Sequence, residues 1–176
     1  MTVDEFYRLE TDLDGIYELD AGFVEFRPPP FVGVAEVQGN VACCLRNFVK
    51  PRGLGRVGLR SGVLVRRDPD TVFMPAVQYY SAVRMPLDAI VKTYNDRPPD
   101  LAVEVLSPDD RPSKIRRKVT EYLAAGVRMV WIVDPEDRTV TIHTEPNASR
   151  TVTEADKFDG GDVLPGFNVD VRSFFE

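Results

Sequence analysis

Histidine is almost missing from this 176-residue chain: His143 stands alone. Only two cysteines, Cys43 and Cys44, accompany it. A structural zinc site takes a fuller set of Cys and His ligands at tighter spacing, so that chemistry is excluded. A Ser-His-Asp triad on His143 lacks a nucleophile elbow to complete it. The cysteines are neighbours in an apolar helical pattern and read as buried free thiols. Long apolar runs are missing too, and none reaches the ~20 residues that cross a bilayer. The first residues, Met-Thr-Val-Asp-Glu-Phe, lack the basic and apolar blocks of a secretory leader, which makes a cytoplasmic location the expectation. Acid is missing locally. Residues 37–67 carry Arg46, Lys50, Arg52, Arg56, Arg60, Arg66 and Arg67 with no Asp or Glu, and residues 111–120 carry Arg111, Lys114, Arg116, Arg117 and Lys118 likewise.

What is present is ordinary for a globular protein: 43% hydrophobic and 28% charged residues. The length fits one domain over residues 1–176 with a substantial core. The net charge of −6 argues weakly against bulk attraction to nucleic acid. A polyanion, however, meets local patches, and Arg111, Lys114, Arg116 and Arg117 form the candidate nucleic-acid contact. The competing reading is that these are solvated loop and helix charges.

Thr2 to Glu5 has the form of a capping box opening a short helix to about Glu10. Ile16 to Phe26 alternates around Asp20-Ala-Gly22, a β-hairpin closed by Pro28-Pro-Pro30. Val34, Val37, Val41, Leu45 and Phe48 recur at helical spacing up to Val49. Two strands are expected over 55–66 and 71–79, joined at Asp68-Pro-Asp70. Leu101 to Leu106 is apolar on both faces and belongs at a sheet centre. A helix from about Ser113 to Ala125 follows, its stripe being Ile115, Val119, Tyr122 and Leu123, with Gly126 as cap. Met129 to Val133 completes a right-handed βαβ unit. Thr139 to Thr144 alternates as a further strand. The tail adds a short strand around Thr151 and a turn at Leu164-Pro-Gly-Phe167. Trp131, Phe73, Tyr79 and Tyr80 read as core or interface packing residues, and Phe174-Phe175 as a docking anchor or dimer contact.

One residue breaks the apolar logic. Glu104 sits inside the run Leu101-Ala-Val-Glu-Val-Leu106, where a carboxylate is costly unless neutralised. A metal ion would neutralise it, and metal-dependent phosphodiester cleavage uses such a carboxylate with a nearby lysine. Lys118 lies at the edge of the helix stripe and can turn back toward the sheet. The competing reading is a simple Glu104–Lys118 ion pair.

The stretch Pro98-Pro-Asp-Leu-Ala-Val-Glu-Val-Leu-Ser-Pro108, with Lys118, Tyr122, Ala125-Gly-Val127 and Trp131-Ile-Val-Asp-Pro135, resembles the Uma-type family of restriction endonucleases. These belong to the PD-(D/E)XK nuclease superfamily. The likeness extends to Tyr17-Glu18-Leu, to Val24-Glu25 before the triple proline, and to Val163-Leu-Pro-Gly-Phe167. It implies an α/β (α+β) fold: a restriction-endonuclease-like core, with a mixed sheet flanked by helices and an N-terminal β-hairpin. It implies a site with Glu104 as metal ligand, Lys118 on the following helix, and Glu18 as a further catalytic candidate. The cofactor would be Mg²⁺ or Mn²⁺, the partner nucleic acid (DNA ahead of RNA), and the assembly a homodimer. Departures stand beside the likeness. Where the family has Pro-Asp, this chain has Pro75-Ala76; where it has histidine after the prolines, Val34 stands; and Lys114 replaces an acid. The expectation divides between an endonuclease with a degraded site and a nuclease-fold protein that binds nucleic acid or acts as a scaffold without catalysis.

Overall fold

The computed structural model describes residues 1–9, 16–90 and 97–176. Helix α1 (Val3–Arg8) opens with the capping box: Thr2 accepts from the Glu5 amide, and the Glu5 side chain accepts from the Thr2 amide at 2.7 Å. It ends at Arg8, and Glu10 lies outside the described residues. Strands β1 (Ile16–Asp20) and β2 (Phe23–Arg27) form the expected hairpin, pairing Glu18 with Glu25. Gly22 takes the positive φ of 82° at its turn. Helix α2 (Val32–Val49) starts two residues before Val34 and buries Val34, Val37, Val41, Leu45 and Val49.

The two strands expected over 55–66 and 71–79 are in fact four. They are β3 (Gly55–Leu59), β4 (Val63–Arg66), β5 (Thr71–Phe73) and β6 (Val77–Ser81). Each run breaks in the middle and changes sheet. The first breaks at Arg60 to Gly62, with Arg60 at φ 47°, and the second at Met74 to Ala76, around Pro75. Strand β7 (Leu101–Val105), helix α3 (Pro112–Ala124) and strand β8 (Met129–Asp134) form the βαβ unit, with β7 and β8 parallel. Strands β9 (Thr139–Glu145), β10 (Ala148–Thr153), β11 (Lys157–Gly160) and β12 (Leu164–Asp170) follow, then a 3-10 helix at Val171–Phe174. Residues 164–167 thus lie in a strand paired with β11 and not in a free turn; Gly166, at φ 82°, bends it locally.

The main sheet is mixed, in the order β10-β9-β8-β7-β6-β3, so β7 lies in its interior as its two-sided burial required. A second sheet runs β2-β1-β5-β4. The period of two decides what meets what. Leu101, Val103 and Val105 share a core with α2, Trp131, Phe158, Phe167 and Phe174. Ala102, Val130 and Ile132 pack instead with Val119 and Tyr122 of α3 and with Val63, Val65 and Phe73 of the second sheet. Glu104, at an even position, projects toward α3. Cys43 is exposed and Cys44 half-buried, which corrects the expectation of two buried thiols. The apolar stripe of α2 passes through Val41 and Leu45, and its neighbour at 43 falls on the outer face. Phe174 is buried against Trp131, their rings 6.3 Å apart.

Candidate functional site

Three elements converge on one buried amine. Lys118 lies midway along α3 on the side facing β7 and β1, its side chain 2% exposed. Its Nζ donates to Glu18 Oε1 at 2.6 Å and to Glu104 Oε1 at 3.1 Å. The Tyr122 hydroxyl, one turn further along α3, donates to the same Glu104 oxygen at 2.7 Å. Glu18 Oε1 also accepts from the Met74 amide at 3.0 Å. Glu18 Oε2 accepts no hydrogen bond from a described residue, and Arg27 Nε stands 3.9 Å from it. Arg27 in turn donates to Asp110 at 3.0 Å. The Lys118 amine also lies 5.1 Å from the centre of the Phe73 ring.

The charges respond to one another and to burial. Burial alone would pull the Lys118 ammonium down, but the Glu104 and Glu18 carboxylates outweigh it and hold its pKa above the ordinary lysine value. Burial pushes Glu104 up from the ordinary carboxylate value, and Glu18 adds to this, while Lys118 and Tyr122 oppose it. The Tyr122 phenol is raised well above its usual value by burial and then by the two carboxylates. Lys118 is therefore a firmly charged group inside the protein, stabilised because two acids face it.

The cluster is not sealed. Glu18, Glu104 and Lys118 line a cleft of about 270 Å³. Its outer wall is Pro28, Pro29, Pro30 and Phe31, and Val34 and Ala76 also line it. Val77 pairs with Val103 and Gln78 with Ala102. Ala76 lies just before β6, outside its paired residues; it lines the cleft together with Glu104 and packs in the core shared with α2.

The remaining sequence candidates divide. On α3, Lys114 pairs with Glu25 of β2, and Arg117 pairs with Asp20 of β1 and with Glu121. Glu121 also meets Arg66 of β4 at 3.2 Å. Positions 114, 117, 118 and 121 form one helical face, and that face is bonded ionically to the second sheet. Lys114 and Arg117 are thus held in ion pairs within the fold. Arg111 and Arg116 point outward and pair with no described residue. In the other basic window, Arg60 donates to Gln38, Arg67 meets Asp70, and Arg52 covers the Phe48 ring. Sequence reasoning missed Arg27, Asp110 and the hydroxyl role of Tyr122. Tyr122 carried a signal, since it follows Lys118 by four residues on the same helix face. Arg27 and Asp110 carried none, because they meet only when the hairpin folds over α3.

A family model described as Uma2, putative restriction endonuclease, matches residues 3–172. The chain belongs to that family. The fold agrees. A putative nuclease belonging to DUF820 from Anabaena variabilis ATCC 29413, solved as a crystal structure, superimposes with a TM-score of 0.86. The identity is 20%, over 99% of this chain and 97% of that one, so the likeness is one of fold. No curated protein matches the chain. Among the described residues, no helix is long and apolar enough to cross a membrane.

A divalent ion, which the Uma2 family's nuclease chemistry implies, does not fit the residues present. A hard cation needs several oxygen ligands. Glu104 Oε1 already accepts from Lys118 and Tyr122 and Glu18 Oε1 from Lys118 and Met74, which leaves one oxygen on each carboxylate, and Ala76 contributes none. Two positive side chains, Lys118 and Arg27, lie beside the carboxylates and would repel a second cation. No group of three or more His, Cys, Asp or Glu suited to a metal occurs among the described residues.

Proposed function

We propose that this member of the Uma2 family holds nucleic acid without cutting it. One observation carries the reading: the Lys118 ammonium bridges Glu18 and Glu104 in a cleft that Ala76 also lines. An ammonium between two carboxylates neutralises them as a metal would, but it offers no open coordination site and lowers no water pKa. With the aspartate of the family pattern replaced by Ala76, the metal-activated water of a nuclease has no seat. Family membership supports nucleic acid as the partner. Arg111 and Arg116, exposed and without ion-pair partners among the described residues, supply phosphate contacts at the start and on the outer face of α3. Lys114 and Arg117 would join only by leaving Glu25 and Asp20.

Two assays on one purified sample test this. Fluorescence anisotropy with labelled duplex DNA, single-stranded DNA and RNA, run at increasing KCl, should show binding that weakens steeply with salt, by about 0.9 in log K per log salt for each phosphate neutralised on a duplex. Arg111→Ala with Arg116→Ala should reduce that slope. Plasmid incubated with Mg²⁺ or Mn²⁺ should stay supercoiled. Nicking by the wild type that disappears in Glu104→Gln would refute the non-cutting reading, and absence of binding at low salt would refute the binding one.

A further inference from the structure

The outer face of α2 is unused by the core, and its pattern is symmetric. Val32, Glu36, Gly39, Cys43, Arg46 and Lys50 recur at alternating spacings of four and three, and all are exposed. That spacing puts all six on one helix face, and that face is turned to solvent. Reversing the helix maps the stripe onto itself about Val41: Val32 exchanges with Lys50, Glu36 with Arg46, and Gly39 with Cys43. Neither Glu36 nor Arg46 forms an ion pair with a described residue. In a parallel pair each would face its own kind; in an antiparallel pair each faces the opposite charge.

We infer that α2 forms a two-fold, antiparallel helix pair with a second copy of this chain. The arrangement is isologous, as a two-fold dimer requires, so every contact occurs twice. Gly39 and Cys43 at the centre let the helices approach to about 8 Å. A Cβ on Gly39 would meet nothing within 4 Å in a single copy, so the space is open to a neighbour. Glu36 borders a recess of about 410 Å³ shared with Asn40, Arg138, Phe175 and Glu176. Arg138 is already matched by Glu154, and Glu176 by Arg172, so a guanidinium entering from the second copy meets Glu36 as the acid without a partner among the described residues. Arg46 of that copy is the group the two-fold brings there. The Lys50 stem covers Val32, which is otherwise 76% exposed.

Charge reversal with rescue tests the register. Sedimentation velocity on the full chain at low salt should show a concentration-dependent dimer. Glu36→Arg and Arg46→Glu, each on a folded sample checked by circular dichroism, should raise the dimer Kd by about tenfold or more, because each turns two attractive pairs into two repulsive ones. The double variant should return it to within about threefold of wild type, since the pairs re-form with signs exchanged. Mild oxidation of Gly39→Cys should give a reducible dimer that Cys43→Ser abolishes. A wild type monomeric at hundreds of micromolar would overturn the inference. So would single reversals without effect, or a double variant no better than either single one.

Discussion

Lys118 Nζ and Glu18 Oε1 lie 2.6 Å apart although 100 residues separate them in the chain. The contact ties α3 to the first strand of the second sheet, and Glu104 joins it from the interior of the main sheet. A single amine therefore links all three elements, while Arg117–Asp20 and Tyr122–Glu104 join α3 separately to β1 and to β7. Both side chains of the pair are 2% exposed, so water contributes almost nothing to their solvation. The interaction is sensitive to loss of one partner more than it is a source of net stability.

Removing the amine should expose that sensitivity. Lys118→Met leaves two facing carboxylates without a counter-charge and should cost about 3–5 kcal/mol in urea unfolding. Lys118→Met combined with Glu18→Gln and Glu104→Gln removes all three charges and should recover most of the loss. A single variant as stable as wild type would mean that the carboxylates reach solvent more easily than their burial implies.

Glu104 sets a pH dependence of known sign. Burial raises its pKa in the folded state above the unfolded value of 4.5, so the folded protein binds this proton more tightly. Stability from this group is then complete below pH 4.5 and declines as pH rises toward the folded pKa. Glu104→Gln does not titrate. The stability of Glu104→Gln minus that of wild type should therefore increase from pH 4 upward. Denaturant curves at several pH values would show it, and a flat or falling difference would contradict the raised pKa.

Tyr122 is fully buried, and its hydroxyl meets Glu104. Tyr122→Phe keeps the ring against Phe73 and removes only that donor. The expected loss is about 1–3 kcal/mol, because a buried carboxylate then lacks one of its partners. The urea midpoint should fall with the m-value unchanged.

Ala76 offers a gain-of-function experiment. Ala76→Asp adds a third acid to the cleft that Glu18 and Glu104 line and should destabilise the metal-free protein while creating affinity for Mn²⁺. Metal at about a hundredfold above its Kd would add about 2.7 kcal/mol to stability, which is a Tm rise of about 5–10 °C for a chain of this size. Wild type should show no such rise under the same conditions. An equal rise in both would mean that Glu18, Glu104 and water suffice to hold the ion.

Much of the scaffold was legible along the chain, for local reasons. The Thr2–Glu5 box, the Gly22 turn, the helical spacing from Val34 to Val49 and the two-sided apolar run at Leu101 each depend on neighbours within a few residues. Glu104 was legible by contradiction, as the one acid in a run with no exposed face. The strand pattern over 55–81 was less so. Period-two alternation continues across Arg60 to Gly62 and Met74 to Ala76, and nothing local says that the two ends of each run enter different sheets.

The charge pattern on α3 shows the same limit. A run of five cations with no acid among them reads as a surface for a polyanion. Glu25, Asp20 and Glu18 lie 89, 97 and 100 residues earlier, and only docking of the hairpin brings them beside Lys114, Arg117 and Lys118. By itself the sequence determined most of the elements and the family pattern, because short-range periodicity carries the first and a long run of matching residues the second. Tertiary structure alone decided which acids neutralise which bases, and so which charges remain for a partner. Ion pairing follows distance in space, and chain separation says little about it.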